Sequence, residues 1–270
     1  QDFLVYVVSA CKKTSFEPYT WNYPFFGSFP YKGFYEKEDA EDEAKTLQAK
    51  GYDVIIRKVD AFSTLGFFKD PVYSFMKDYS LYSLASLIIH EQTHATIFLK
   101  NRVQFNEEMA TFVGNEGALY YIKKREGPRS PQYLRTLEII ADSNDYFNLI
   151  KMLYNQLQEL YNEDLDEQGT LGEKKRIVDE FVSELTDNYD IYFKTDRYKR
   201  AVNIPVNNAY ILSYVRYTED LSLFYSLYKQ SGHDLPRTIN VLKQVKEHKK
   251  DPKGFLRSLI KADDLPANPE

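Results

Sequence analysis

The pentapeptide His90-Glu91-Gln92-Thr93-His94 constrains this chain more than any other stretch. Histidines four residues apart can close on one divalent ion only where the backbone is helical, because a helix brings both imidazoles to one face. Glu91, between them, lies beside such an ion without binding it, where a carboxylate can take a proton from an activated water. The motif follows a mostly apolar run, Leu84 to Ile89, which reads as a buried helix. Imidazoles buried there need a partner or a metal to offset their desolvation.

A catalytic zinc site takes three protein ligands and keeps one position open. The other two histidines, His233 and His248, lie far downstream in polar surroundings, so the economical third ligand is a carboxylate from the next helix. Asn106-Glu107-Glu108-Met109-Ala110 begins that helix and offers Glu107 or Glu108. Glu107, Thr111 and Gly114 fall on one face of it.

Before the motif, Phe3 to Ser9 reads as a strand, residues 16–35 as an aromatic-rich irregular segment, Glu36 to Lys50 as a helix stopped by Gly51, and Tyr52 to Val59 as a strand. The metal helix is expected from near Ser80 to about Lys100, and the next from about Asn106 to Lys124. Beyond a Pro/Gly break at 126–132, Leu134, Leu137, Ile140, Phe147, Ile150, Leu153, Leu157 and Leu160 form an apolar stripe. A polar gap at 163–173 precedes a helix from Lys175 to about Phe193. Asn207 caps a helix expected to reach Gln230, with Tyr217 about three turns in.

The fold class is therefore α+β, a small mixed sheet with one helix followed by a mainly helical lobe. A division into residues 1–79 and 80–270 of one catalytic domain is expected. With 270 residues, 43% of them hydrophobic, the chain can bury a substantial core. A net charge of −5 and no long basic run argue against nucleic acid as the main partner. The single cysteine, Cys11, excludes an intrachain disulfide. No stretch reaches the roughly 18 apolar residues of a membrane-spanning helix.

Three further stretches, FFGSFPYKGFYEKEDAEDEA, GYDVIIRKVDAFSTLGFFKDP and FNEEMATFVGNEGA, lie between about Tyr23 and Ile122, and Asn207-Asn208-Ala209 is followed by Tyr217. Together with the histidine motif these resemble a bacterial family of gluzincin-like zinc aminopeptidases. The order Asn-Glu-x-x-Ala is similar to the Glu-bearing helix of thermolysin-like and aminopeptidase-type enzymes. The likeness departs from the family's usual pattern at Gln92-Thr93, commonly Leu-Ala, and at Phe67, commonly Trp.

This resemblance implies a peptide substrate and one Zn2+ per chain on His90, His94 and Glu107, with Glu91 as general base and then acid. It implies Tyr217 as donor to the oxyanion, ahead of Tyr210 and Tyr214. Thr111 stands where thermolysin-like enzymes carry an aspartate that holds a histidine, and Asn207 is expected with it in support of the ligands. Ser63, Thr64, Leu65, Gly66 and Phe67 are expected along the cleft, pairing with extended substrate. Glu108 and Glu116 are candidates for holding a free amino group. The family likeness also implies a preceding portion with an export or lipid-anchor signal, and hence the cell envelope or periplasm. A zinc endopeptidase and a non-catalytic envelope binding protein with a structural metal are the alternatives.

Overall fold

The computed structural model describes residues 3, 5–23, 27–59, 76–77, 79–199, 204–216, 221–261 and 264. The chain forms two compact units, residues 1–62 with 137–218 and residues 63–136 with 219–270. Among the described residues no helix is long and apolar enough to cross a membrane.

In the first unit β1 (Val5–Lys12) is the central strand of a sheet ordered β4-β1-β5, with β4 at Lys32–Phe34 and β5 at Tyr52–Val59. Both pairings are antiparallel, Val8 standing opposite Lys32 on one side and Ile56 on the other. The expected mixed sheet is thus corrected for the described strands. The expected strand, helix and strand are present as β1, α1 (Lys37–Ala49) and β5; α1 directly follows β4, which was not expected, and β4 and β5 run in one direction with β1 inserted between them. Ala40, Ala44 and Leu47, at helical spacing, bury one face of α1 against Val8, Ala10 and Val54. Gly51, at φ 87°, makes the turn into β5, a conformation that costs glycine least. The segment expected to be irregular contains a short antiparallel hairpin, β2 (Trp21–Tyr23) with β3 (Gly27–Phe29).

Besides α1, the helices of this unit are α5 (Glu167–Asp187), the short α6 (Tyr189–Tyr192), α7 (Asn208–Arg216) and most of α4 (Pro131–Leu160). Ile150, Leu153, Leu157 and Leu160 bury the stripe read from the sequence against Ile177, Leu185 and Ile211. Leu134 and Leu137, read as its first members, are exposed. The helix expected from Asn207 to Gln230 is two helices, α7 ending at Arg216 and α8 (Ser222–Gln230) belonging to the second unit.

A buried ion pair ties the first unit together. The Lys174 ammonium of α5 meets the Asp53 carboxylate and the Lys13 carbonyl, and Asp53 also accepts from the Asn208 amide at the start of α7. Desolvation pulls the Lys174 pKa below its ordinary value, against the opposing pull of Asp53. Lys174→Met would leave a buried carboxylate without its counter-ion, which costs about 3–5 kcal/mol. The expected outcome is a lower urea midpoint for this unit, measured by chemical unfolding; an unchanged midpoint would show the pair to be dispensable.

The second unit holds α2 (Leu81–Thr96), α3 (Val103–Glu126), α8, α9 (Leu235–Leu242), a 3-10 turn at Lys243–Glu247 and α10 (Pro252–Ser258). Ser80 caps α2 by accepting from the Ser83 amide at 3.0 Å. The helix stops before the expected Lys100 because Ile97 turns to an extended conformation, and Ile97 and Leu99 then bury in the core of this unit. One stripe of α3, Phe105, Met109 and Phe112, packs in the same core with Phe224, Leu242 and Leu256.

Candidate metal centre

Two glycines decide how closely α2 and α3 approach. A Cβ on Gly114 would sit 2.8 Å from the Ser86 carbonyl and 3.2 Å from His90 Cβ, and one on Gly117 would sit 3.0 Å from Ile89. Only a bare Cα lets the two backbones lie this near. Ser86 Oγ donates to Asn115 Oδ1 at 3.1 Å and pins the same crossing. Glu107 lies two turns before Gly114 on the same face, so the glycines bring its carboxylate to the histidines.

The connection between the helices is held by Asn106, which is fully buried. Its side chain accepts from the Leu99 amide at 3.0 Å and donates to the Leu99 carbonyl at 2.8 Å. A backbone loop of this kind needs its polar groups paired where it is buried. Asn106, in the first turn of α3 and one residue before Glu107, supplies both bonds.

His90 Nε2 and His94 Nε2 are 3.1 Å apart, and Glu107 reaches them with separate oxygens at 3.4 and 3.5 Å. These three residues form a group whose donor atoms lie close enough together to hold one metal ion. Zinc bonds of about 2.0–2.1 Å at a tetrahedral centre place ligand atoms about 3.3–3.4 Å apart. The nitrogen pair, and each imidazole's contact with its own Glu107 oxygen, stand near that spacing, and two nitrogens with one carboxylate are donor types zinc takes, so the residues fit the ion. Hydrogen bonds from His90 and then His94 hold the Glu107 carboxyl down to about 2, against the opposing effect of burial. The Glu107 carboxylate therefore stays charged well below the ordinary carboxylate range.

Thr111 lies where the sequence placed it, its Oγ1 3.4 Å from His90 Nδ1. In the tautomer that leaves Nε2 free to bind a metal, Nδ1 carries the proton and donates it to this hydroxyl. Removing such an outer partner typically costs about 10–100-fold in metal affinity. Thr111→Val is expected to weaken zinc binding within that range and Thr111→Ser to restore it, measured by competition with a chelating dye. Equal affinity in all three proteins would remove Thr111 from the site.

Several expectations change. Glu108, the fallback ligand, is fully buried on another face of α3, where it meets the Lys253 ammonium at 2.7 Å and the Gln104 amide at 3.0 Å. Glu116 lies nine residues after Glu107, about half a turn off on the helix, so it faces away from the histidines. Neither is placed to receive an amino group beside the metal ligands. The apolar run before His90 is only half buried among the described residues, with Ile88 44% exposed, because α2 packs through one face; His94 itself is 3% exposed.

Asn207 is found at the N-terminus of α7, its Oδ1 accepting from the Tyr210 amide at 2.9 Å and its Nδ2 donating to the Val54 carbonyl at 3.1 Å. Tyr210 and Tyr214 hydrogen-bond to each other, and Tyr210 also to Tyr146. Tyr217 and the stretch Ser63, Thr64, Leu65, Gly66 and Phe67 lie outside the described residues. The sequence reading missed the Asn106 clamp and the close approach at Gly117; the Gly114/Gly117 spacing on a helix was the available signal for the latter.

A family model described as "Putative aminopeptidase" matches residues 1–254. No curated protein and no solved structure matches the chain.

Proposed function

The chain belongs to the family so described, and from that premise we propose that it is a zinc-dependent peptidase that acts at the free amino end of peptides. The observation that carries this reading is the Glu107 carboxylate meeting both imidazoles with separate oxygens. His90, His94 and Glu107 would hold the ion and leave a fourth position for solvent, the arrangement of a catalytic rather than a structural site. When bound, zinc supplies Lewis acidity: it lowers the pKa of a water toward about 7 and polarises a carbonyl.

The proton work falls to Glu91, adjacent to His90 on α2. Its carboxylate takes the proton released as water adds to the scissile carbonyl, and returns it to the amine nitrogen as the C–N bond breaks. Thr111 holds the His90 ring in orientation, and Asn106 with Gly114 and Gly117 holds Glu107 against it. Tyr217 is the proposed donor to the oxyanion, and Ser63 to Phe67 the proposed path of the substrate backbone.

Zinc stoichiometry and cleavage of matched peptides with free and acetylated amino ends test this reading. One zinc per chain and cleavage confined to the free peptide are expected. Equal cleavage of both would make the protein an endopeptidase, and bound zinc without cleavage of either would leave a structural metal.

A further inference from the structure

The core stripe of α3 does not end in a hydrophobic residue. After Phe105, Met109 and Phe112 the next position at that spacing is Glu116. Its half-buried carboxylate accepts from the hydroxyls of Tyr225 and Tyr228 on α8. It lines a cavity of about 490 Å³ together with Tyr133, Tyr228, Lys123 and Lys124, within the 300–1,000 Å³ or so of small-ligand sites. His233, in the left-handed region at φ 56°, closes one side with its ring edge-on to Tyr228.

The charges in this cavity are separated. A carboxylate has about four lone-pair positions, so two tyrosyl hydroxyls leave Glu116 acceptors to spare. Burial raises the Glu116 pKa, with Tyr228 and then Tyr225 opposing, and an ammonium group placed against it would favour the charged form. Lys123 and Lys124 are exposed and make no ion pair among the described residues. The tyrosines lining the cavity, Tyr133 and Tyr228, are side chains that suit an aliphatic or cationic group.

We propose that this cavity is a second binding site, separate from the metal centre, for short zwitterionic peptides. The ligand's amino terminus sits at Glu116 and its carboxylate at Lys123 and Lys124. The size follows from the helix: Lys123 lies two turns beyond Glu116, about 10 Å along the axis, and its side chain leans back toward the helix N-terminus. An extended chain advances about 3.3–3.6 Å per residue, so two or three residues fill the gap. A free amino acid is too short to meet both ends.

The test is calorimetric titration of the dipeptide Ala-Leu into the full chain carrying Glu91→Gln, with and without a chelator. Binding should survive the chelator and weaken at least about tenfold, or 1.4 kcal/mol, on acetylating the probe's amine, amidating its carboxylate, or introducing Glu116→Gln. The double variant Lys123→Ala/Lys124→Ala, on the exposed rim, should abolish the preference for the free carboxylate over the amide. Loss of binding with the chelator would assign the peptide to the metal centre and overturn the proposal. Equal binding of the acetylated probe, equal binding by Glu116→Gln, or a carboxylate preference that survives in the double variant would also overturn it. None of these outcomes bears on whether zinc hydrolyses peptides, so the two readings fail separately.

Discussion

Glu91→Gln is expected to lower kcat by about 100- to 10,000-fold, the usual worth of a general base and acid, while zinc content stays at the wild-type level. Glutamine has nearly the same shape and keeps α2 intact, but it cannot accept a proton from water or return one to the leaving amine. The proposed zinc ligands are untouched, since His90, His94 and Glu107 converge without it. Steady-state cleavage of a free-amine peptide, with metal analysis on the same preparation, reads the two quantities together. Full activity in the variant would remove Glu91 from the chemistry; loss of zinc along with activity would mean that the side chain supports the metal.

Glu107→Ala is expected to strip the metal, with a loss of affinity beyond the 10- to 100-fold or so that an outer partner costs. It takes away the one anionic donor of the three and leaves two neutral nitrogens. The change lies on the α2 side of α3, away from the Phe105, Met109 and Phe112 stripe, so helicity by circular dichroism should be retained. Glu108→Gln serves as the comparison: its side chain meets Lys253 and Gln104, so zinc should remain. The opposite pattern, zinc kept by Glu107→Ala and lost by Glu108→Gln, would exchange the two roles. The sign with pH follows from the lowered Glu107 pKa. A carboxyl held at about 2 gives a stabilising contribution that is complete above its ordinary value of 4.5 and is lost progressively as pH falls from there through about 2. Zinc lost on mild acidification would therefore not be explained by protonation of Glu107.

Much of this architecture was legible in the chain. The helix carrying His90 and His94, the helix carrying Glu107, the α1 helix with its Gly51 stop and the β5 strand all followed from local periodicity and turn chemistry. What misled was reading composition as burial. The apolar run before His90 looks like core, yet packing on α3 covers one face of it, and Leu134 and Leu137 likewise continue a stripe that the fold leaves exposed. The helix after Asn207 was read through to Gln230 because its residues favour helix on both sides of 217–220, and nothing local marks the change of unit there.

Local sequence determined which side chains could hold a metal, because a four-residue histidine spacing and a Glu, Thr and Gly on one helical face are properties of a single segment. Tertiary structure decided between Glu107 and Glu108. Adjacent residues on a helix point about 100° apart, and only the approach of α2, allowed by Gly114 and Gly117 and held by Asn106, selects one direction as the metal side. The same packing turned Glu116 away from the histidines and toward α8. The residues meeting there are about a hundred positions apart in the chain, so no local pattern could bring them together.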